Sequence, residues 1–337
     1  MKVDQIIVVK ETREGEGRVA LTPTAVASLV AKKYRVMIES EAGILAGFKD
    51  EEYMQAGAHI FKLNSTGFPP NSILLRVKRP NKAREVLENK LLPVGTVMVG
   101  FLDPLDIRHE NHIANWQALG ITTISLELLH FTADDPKNAQ AAMSRFAGRL
   151  ALKDALQQYR GSLPKKVTVL GTGPAGLSAA YAAKNLQLPV QLFGRKEHYR
   201  KTIWAAGIVY YVLPVTNQRA FIREHLSDQT IIIAAARSLG EKAPLLIDAA
   251  SLAVLPEKAV IIDLSTGEGG CVIGSKGDEV VIVERDISII NVSGYPKAEP
   301  RAASEQFAQC IVNLLLEVMA TNGEINLENS LLHQSEE

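Results

Sequence analysis

The sequence predicts an α/β protein built from two doubly wound domains with a cleft between them, and three observations lead to this prediction. The chain has 337 residues, whereas a single core rarely grows past about 250–300 residues. Short runs rich in valine and isoleucine alternate with amphipathic segments from end to end, which is typical of parallel sheets with helical crossovers. A glycine-rich turn stands between a strand and a helix in the second half. That turn indicates that the domains are Rossmann-like.

Composition and charge limit the classes of function. Hydrophobic residues make up 47% of the chain and charged residues 22%, and 37 basic side chains balance 37 acidic ones. Such a balance is typical of a globular protein and does not favour nucleic-acid binding. The two cysteines, Cys271 and Cys310, match neither a disulfide framework nor a zinc or redox motif. We therefore expect a reducing, cytoplasmic compartment.

The chain carries neither a metal-site pattern nor a membrane segment. Its seven histidines are scattered, without the companion ligands that a metal site needs, so no metal is predicted. The first residues are strand-like and lack the pattern of a signal peptide. No stretch reaches the ~18 apolar residues needed to span a bilayer. Direct membrane insertion is therefore not expected.

Five strands and a capped helix are predicted in the first half of the chain. Thr22 can cap free amides through its hydroxyl, and Pro23 suits the first turn of a helix, so a helix should run from there to about Lys33. The predicted strands cover residues 5–10, 34–39, 72–78, 96–101 and 121–129.

Six strands in the second half suit a dinucleotide-binding sheet; they cover residues 166–170, 190–193, 208–213, 230–236, 260–265 and 287–293. Helical periodicity over residues 138–159 indicates a helix that carries the chain from one half to the other. A long helix over residues 301–319 has one apolar stripe, and we expect it to return to the first domain. The predicted domains are residues 1–137 plus 300–337, and residues 138–299.

The stretch VLGTGPAGL is the strongest functional motif. Its three glycines have separate roles, because Gly171 makes the tight turn, Gly173 lets the backbone approach a pyrophosphate, and Gly176 lets the helix pack against the strand. Amides at the start of the helix would hold the phosphates. The alternative is a tight turn in an α/β domain that binds no ligand.

The end of the second strand of this domain departs from the NAD pattern. An acidic side chain normally accepts hydrogen bonds from the ribose hydroxyls there, but this chain has Gly194, followed by Arg195 and Lys196. Loss of the carboxylate removes its repulsion of a 2′-phosphate, and a guanidinium can pair with that phosphate. The site is therefore predicted to tolerate or prefer NADP. Alternatively, the two cations are a solvated helix start and the cofactor affinity is weakened.

The predicted cofactor is NAD or NADP, and the residues predicted to bind it lie after three strands of the second domain. They are Gly171, Gly173, Pro174, Gly176, Gly194, Arg195, Lys196, Ala236 and Arg237.

Two cations in the first half could bind a substrate carboxylate. Arg18 ends a glycine-rich loop just ahead of the capped helix, and an arginine there can form two hydrogen bonds with a carboxylate. Lys78 ends a strand, where the carboxyl edge of a sheet opens toward a cleft. The alternative for each is a solvated surface cation. Glu268 could be a carboxylate of the cleft or a solvated turn residue.

Taken in order, the motifs resemble the family of alanine dehydrogenase and the soluble NAD-binding domain of proton-translocating nicotinamide nucleotide transhydrogenase. The resemblance covers nearly the whole chain. Its C-terminal third, SGYPKAEPRAASEQFAQCIVNLLLEVM with NGEINLEN, looks like the transhydrogenase alpha subunit. The other motifs are KETREGEGRVALTP, VKRP, VLGTGPAGL, APLLI and IIDLSTGEGGC. The resemblance implies a discontinuous first domain, with the nucleotide domain inserted before the final helix.

Departures from both branches of the family affect the expected chemistry. By resemblance, Arg18 and Lys78 match the pyruvate-binding arginine and lysine of alanine dehydrogenases. Asp103, however, stands where those enzymes have a catalytic histidine, and Gly267 stands where they have a catalytic aspartate. Residues that bind the substrate carboxylate should not give efficient amination unless another group acts as acid and base.

The transhydrogenase pattern is also incomplete. His130, Asp135 and Asn138 stand where that branch has an Arg-Gln-Asp loop that positions the nicotinamide, and Gly194 replaces its acidic residue. The catalytic residues are therefore unassigned.

Three hypotheses follow. The first is a protein similar to transhydrogenase subunit alpha, a homodimer that transfers hydride to NADP held by a partner subunit. Membrane transhydrogenase subunits would place it at the inner membrane as a peripheral protein. The second is an NADP-dependent amino-acid or opine dehydrogenase that acts on a 2-oxo acid. The third is a nucleotide-binding protein that has lost catalysis.

Overall fold

A computed structural model describes residues 3–63, 67–104, 111–236, 242–265 and 269–319 of the chain. The described residues fall into two compact units, which we call unit 1 (within residues 1–143 and 297–337) and unit 2 (within residues 144–296). The boundaries predicted from the sequence, after residues 137 and 299, lie a few residues from these limits.

Unit 1 contains a six-stranded sheet in which all neighbouring strands are parallel. The strand order is β3-β2-β1-β4-β5-β6, so the direction of winding reverses between β1 and β4. Ligands of doubly wound folds bind at the carboxyl ends of the strands at such a switch point. The strands are β1 (Gln5–Val8), β2 (Val36–Glu39), β3 (His59–Phe61), β4 (Ser72–Lys78), β5 (Val97–Phe101) and β6 (Thr122–Ser125).

Unit 2 repeats this winding with one added strand. Its order is β12-β13-β11-β10-β7-β8-β9, and only β12 runs antiparallel, beside β13 at the edge. The switch point lies between β7 and β10, and both strands are fully buried and almost entirely apolar, as the centre of a covered parallel sheet requires. The strands are β7 (Val167–Leu170), β8 (Val190–Gly194), β9 (Val209–Val212), β10 (Ile231–Ala234), β11 (Val260–Asp263), β12 (Val280–Val283) and β13 (Ile287–Ile290).

The α-helices of the described residues are α1 (Pro23–Ala31), α2 (Asp50–Gln55), α3 (Lys82–Asn89), α4 (His112–Ala118), α5 (Ala139–Gln158), α6 (Pro174–Asn185), α7 (Arg200–Ala205), α8 (Gln218–Arg223), α9 (Ala249–Val254) and α10 (Pro300–Val318). Thr22 caps α1 by accepting the Ala25 N–H at 3.3 Å, with Pro23 in the first turn, as predicted. Across the described ranges, no helix combines the length and apolar character needed to cross a bilayer.

Helix α10 packs within unit 1 along its predicted apolar stripe. Phe307 is fully buried, and the centre of its ring lies 5.6 Å from that of Phe101 on β5. The Ser304 hydroxyl accepts the Val19 N–H at 3.0 Å. The last described helix therefore covers the sheet formed by the first part of the chain.

The α/β class and the two parallel sheets predicted from the sequence are confirmed, with three local differences. The strand predicted over residues 121–129 ends at Ser125, and a 3₁₀ turn covers Leu126–Leu128. Strand β3 is not predicted because it is a three-residue edge strand without a buried run. Strand β12 is not predicted because alternation of strands and helices indicates only the parallel members of a sheet.

Candidate functional site

The glycine loop lies at the switch point of unit 2, where β7 ends and α6 begins. Gly171 has a φ of +111°, a backbone conformation that glycine adopts readily and other residues do not. A Cβ added to Gly171 would lie 2.6 Å from the carbonyl oxygen of Ala235 and 3.0 Å from the amide nitrogen of Ala236. The fold therefore requires glycine at 171, because the loop passes directly against the end of β10.

Two further glycines let backbones approach one another around this loop. A Cβ on Gly176 would overlap the carbonyl oxygen of Gly171 and lie 2.9 Å from its carbonyl carbon. A Cβ on Gly148, in α5, would overlap the carbonyl oxygen of Ala175 and lie 2.7 Å from its carbonyl carbon. Gly148 is not among the residues predicted from the sequence. A glycine inside a helix destabilises the helix by ~1 kcal/mol relative to alanine. An isolated glycine in a helical segment of the sequence therefore indicates that another element packs closely against that position.

Gly173 differs from these glycines because the fold does not require it. Its φ of −72° and ψ of 175° are ordinary extended values, and no atom lies within 4 Å of an added Cβ. Gly173 is the N-cap of α6 and provides no side-chain cap, whereas Asn81 caps α3 through its side chain. The open space and the uncapped helix start fit the pyrophosphate of a dinucleotide, which backbone amides at a helix N-terminus can bind.

The end of β8 carries the predicted ribose-binding residues. Gly194 is buried, while Arg195 and Lys196 are exposed. Among the described residues, the side chains of these two cations make no hydrogen bond or ion pair. The next residue, Glu197, is paired with Arg200, whose Nη2 donates to the carboxylate at 2.9 Å. This turn therefore presents two free positive charges and one neutralised acid.

The ends of β10 and β11 complete this edge of the sheet. Ala236 follows β10, and its carbonyl oxygen accepts the thiol of Cys271 at 3.1 Å. Buried Asp263 accepts the N–H groups of Ser265 and Cys271, each at 2.9 Å. Asp263 therefore holds the loop after β11 against the end of β10. The predicted residue Arg237 lies outside the described residues, as do Gly267 and Glu268.

In unit 1, Arg18 is paired with a neighbouring carboxylate. Its Nε donates to Glu16 at 2.7 Å and its Nη2 donates at 2.6 Å, and only 4% of the Arg18 side chain is exposed. Burial raises the pKa of Glu16, but the hydrogen bonds and charge of Arg18 outweigh burial and lower that pKa overall. The pair therefore stays charged, and Glu16 occupies the Nε–Nη2 edge of the guanidinium, one of the edges that could bind a substrate carboxylate.

Lys78 is also paired, with Asp103. The Lys78 Nζ lies 3.4 Å from one oxygen of Asp103, and the Nη2 of Arg13 lies 2.7 Å from the other. Burial raises the pKa of Asp103, but Lys78 and Arg13 outweigh burial and lower it overall. Two cations thus converge on an internal carboxylate at the switch point of unit 1. Arg18 and Lys78, which the sequence predicts to bind one substrate carboxylate, engage two different internal ones.

The segment before α5 has a structural role in this chain. The Asn138 Oδ1 accepts the Ala141 N–H at 2.8 Å, and the Asn138 Nδ2 donates to the Thr132 carbonyl at 3.1 Å. The Asp135 carboxylate accepts the Lys137 N–H at 2.8 Å. Asp135 and Asn138 therefore close the turn that starts α5, while His130 is exposed.

Glu11 lies beside β4 at the same switch point. Its carboxylate accepts the N–H groups of Val77 at 2.6 Å and Lys78 at 3.1 Å. Burial, which outweighs the opposing charge of Arg76, raises the pKa of Glu11 from 4.5 to about 7. Glu11 is therefore a carboxyl group of unit 1 whose ionisation should change near neutral pH.

We expect Glu11→Gln to remove a pH dependence of stability. Because the folded pKa lies above the unfolded value, the folded state holds an extra proton between about pH 4.5 and 7, and the resulting stabilisation is lost as the pH rises through that window. The free energy of unfolding of the wild type relative to the variant should therefore fall from about pH 5 to about pH 8. Denaturant unfolding of both proteins at several pH values measures this difference in the free energy of unfolding. A difference that does not change with pH would contradict the prediction.

In both sheets the parallel strands have the order 3-2-1-4-5-6 when they are counted along the chain, and the glycine loop follows the first strand of the second sheet. These features define the doubly wound, Rossmann-like class of nucleotide-binding folds. Among the residues that the structure describes, no group of three or more His, Cys, Asp or Glu side chains is arranged to hold a metal ion.

Comparison with known sequences identifies the family. Residues 7–147 match the N-terminal domain of alanine dehydrogenase/PNT, and residues 138–335 match its C-terminal domain. The chain belongs to the alanine dehydrogenase/PNT family, which confirms the resemblance predicted from the motifs. The transhydrogenases and alanine dehydrogenases of this family are oxidoreductases.

Relatives from both branches align along most of the chain. The first part of NAD(P) transhydrogenase subunit alpha of Rickettsia prowazekii is 26% identical, over 97% of this chain and 93% of the relative. Alanine dehydrogenase of Mycobacterium tuberculosis is 27% identical, over 91% of this chain and 85% of the relative. The closeness in sequence therefore does not separate the two branches.

Solved structures from the same two branches of the family superpose on this chain. A transhydrogenase from Sinorhizobium meliloti superposes with a TM-score of 0.86 and 25% identity, over 97% of this chain and 96% of the other. An L-alanine dehydrogenase superposes with a TM-score of 0.81 and 26% identity, over 93% and 90%.

Proposed function

We propose that this chain binds a nicotinamide dinucleotide over the loop from Gly171 to Gly176 and acts as a protein similar to NAD(P) transhydrogenase subunit alpha. Gly173 is the observation that carries the proposal. The backbone needs glycine at 171 and 176 for its own packing, but at 173 any small side chain would fit. A glycine that the protein does not need is explained by a ligand that occupies the open space.

The chain's own residues would bind and orient the dinucleotide. The loop glycines and the first turn of α6, which begins at Pro174, would hold the pyrophosphate, and Gly194, Arg195 and Lys196 would lie at the ribose end. Ala236 and Arg237 would border the site from β10. The bound nicotinamide supplies the hydride chemistry. Hydride exchange with NADP held by a partner subunit requires no proton at the carbon centre, so positioning by the protein is sufficient.

The paired cations of unit 1 support this proposal over a dehydrogenase. A 2-oxo acid that bound the Nε–Nη2 edge of Arg18 would have to displace Glu16. Removing one partner of a buried ion pair costs about 3–5 kcal/mol, and the Arg18 pair is 4% and 0% exposed. Asp103 also carries no proton to donate near neutral pH, because its pKa is lowered.

We further propose a cytoplasmic homodimer that works with membrane transhydrogenase subunits. The transhydrogenase relatives are named as alpha subunits. Their names support the proposal that this chain needs other subunits for catalytic turnover. Such partners would hold this chain at the inner membrane as a peripheral subunit.

We expect Gly173→Ala to weaken dinucleotide binding by at least about tenfold, or 1.4 kcal/mol, without loss of stability. The methyl group would enter the open space at the phosphate position, while the backbone there accepts alanine, which should if anything stabilise the fold slightly. Gly277→Ala is the matched control, because Gly277 also has open space around it and no positive φ. Fluorescence titration with NADH and NADPH measures binding, and thermal unfolding measures stability.

Hydride transfer is tested with a separately purified NADP-binding transhydrogenase domain. We expect exchange between the reduced dinucleotide bound by this chain, NADH or NADPH, and an oxidised NADP analogue in the mixture, reduced in Gly173→Ala and unchanged in Gly277→Ala. If the wild type binds none of the four nicotinamide dinucleotides, the proposal is wrong. Oxidation of NADPH by the isolated chain that depends on an oxo acid, and that is lost in Lys78→Ala, would favour the dehydrogenase instead.

A nucleotide-binding protein without catalysis is the second candidate. The internal pairs of Arg18 and Lys78 support it as well, because each of these cations already has a carboxylate partner within the protein. Binding of a dinucleotide without exchange in the mixture would support this candidate over the transhydrogenase.

A further inference from the structure

Gly194 is the last residue of β8, and its lack of a side chain follows from crowding. Its φ lies outside the left-handed region, so the backbone conformation would admit other residues. An added Cβ, however, would lie 2.6 Å from the hydroxyl oxygen of Tyr210 and closer still to the Cγ2 of Thr172. Both neighbours are side chains, one from β9 and one from the glycine loop. They fill the space through which a ribose-binding carboxylate would have to extend.

Tyr210 cannot readily move aside. It is 1% exposed, and its hydroxyl donates to the carbonyl oxygen of Lys196 at 2.9 Å. This hydrogen bond ties the interior of unit 2 to the turn that carries Arg195 and Lys196. Tyr210 therefore excludes a side chain at 194 and also fixes the backbone from which the two cations project.

The charges on this turn fit a dianionic group. Arg195 and Lys196 are exposed and, within the described ranges, their side chains have no hydrogen-bond or ion-pair partner. Glu197 would repel an anion, but Arg200 already holds both of its carboxylate oxygens and lowers its pKa. A 2′-phosphate would find two available cations and no free carboxylate, and a guanidinium suits it through paired hydrogen bonds. The ribose hydroxyls of NAD would find no acidic acceptor at 194.

From these contacts we propose that Thr172 and Tyr210 are specificity-determining residues, which keep position 194 empty so that the site selects NADP(H) over NAD(H) through Arg195 and Lys196. This inference rests on the proposed function, since it assumes that the glycine loop binds a dinucleotide. Beyond the proposed function, the cofactor is NADP(H), and the side chains of Thr172 and Tyr210 beside Gly194 determine that preference.

The first measurement compares affinities for NADPH and NADH. The wild type should bind NADPH at least about tenfold more tightly. Arg195→Ala should remove most of that difference by weakening NADPH, with little effect on NADH. Lys201→Ala is the matched control, because Lys201 is an exposed cation of the neighbouring α7, and it should change neither affinity.

The second measurement tests the packing without any ligand. Gly194→Asp alone should lower the thermal unfolding midpoint and bind neither cofactor well. In the triple variant Gly194→Asp, Thr172→Ser, Tyr210→Phe, the added side chain gains the space of one methyl and one hydroxyl. The midpoint should then recover by more than the sum of the separate substitutions, and the preference should shift to NADH.

The outcomes separate the inference from the proposed function. If the wild type binds no dinucleotide, the proposed function fails and the inference fails with it. If the wild type binds NADH as tightly as NADPH, or if Arg195→Ala weakens both equally, only the inference fails. Full stability with tight NADH binding in Gly194→Asp alone would also overturn it, because Thr172 and Tyr210 would then exclude nothing.

Discussion

Gly148→Ala is expected to lower the free energy of unfolding of unit 2 by about 2 kcal/mol and to weaken dinucleotide binding. Two effects oppose one another at this position. Alanine is favoured over glycine inside a helix by ~1 kcal/mol, but the added Cβ would overlap the carbonyl oxygen of Ala175. Overpacking costs about 1–3 kcal/mol even when side chains can adjust. Here the obstacle is backbone, so we expect the clash to outweigh the gain in helix propensity.

The clash should also weaken the binding of the dinucleotide. Ala175 lies in the first turn of α6, so a displaced α5 would push the amides that we propose to hold the pyrophosphate. Circular dichroism during denaturation measures the stability, and NADH titration measures the binding. Gln157→Ala, at an exposed position of the same helix, is the control that adds helix propensity without a clash. A more stable Gly148→Ala variant would show that the two helices can separate at little cost.

Arg84→Ala is expected to have a still larger effect, a loss of about 3–5 kcal/mol from unit 1. Arg84 donates to both oxygens of Glu39, at 2.8 and 2.5 Å, and to Glu88 at 2.6 Å. Burial opposes the charge on Arg84, but these carboxylates outweigh burial and raise its pKa. Removal of the guanidinium would leave buried Glu39 with the Lys10 N–H as its one remaining partner among the described residues, while Glu88 would keep Arg76.

The two tryptophans allow unit 1 to be observed by itself. Trp116 is buried in unit 1, whereas Trp204 is 54% exposed in unit 2. In a Trp204→Phe background, denaturant unfolding followed by Trp116 fluorescence would therefore report the effect of Arg84→Ala. Arg35→Ala is the control, since Arg35 is exposed and should change stability by less than about 0.5 kcal/mol. A similarly small change for Arg84→Ala would mean that the network contributes little.

Much of the fold could be predicted from the sequence because its signals are local. Buried parallel strands such as β7 and β10 are continuous apolar runs, and Thr22 with Pro23 marks a helix start within two residues. The strands that the sequence does not predict, β3 and β12, are edge strands. Their pairing depends on a neighbour rather than on their own pattern, so local periodicity could not identify them.

Some features of the candidate site could likewise be predicted from the sequence, and others could not. The order of the loop glycines and the absence of an acid at 194 are visible in the sequence, and they lead to a dinucleotide site and to the question of NADP. Which glycine serves the fold and which serves a ligand is not visible there, because the answer depends on the atoms that surround each Cβ.

The sequence by itself determined the α/β class, the family and the residues that line the glycine loop. Only the tertiary structure decided that Gly173 alone among the loop glycines has open space beside it, that Lys78 is engaged by Asp103, and that Tyr210 fills the space beside Gly194. Each of these facts depends on the presence or absence of contacts between separate segments of the chain. Such contacts arise when strands of a sheet bring their ends together, so no local pattern of residues records them.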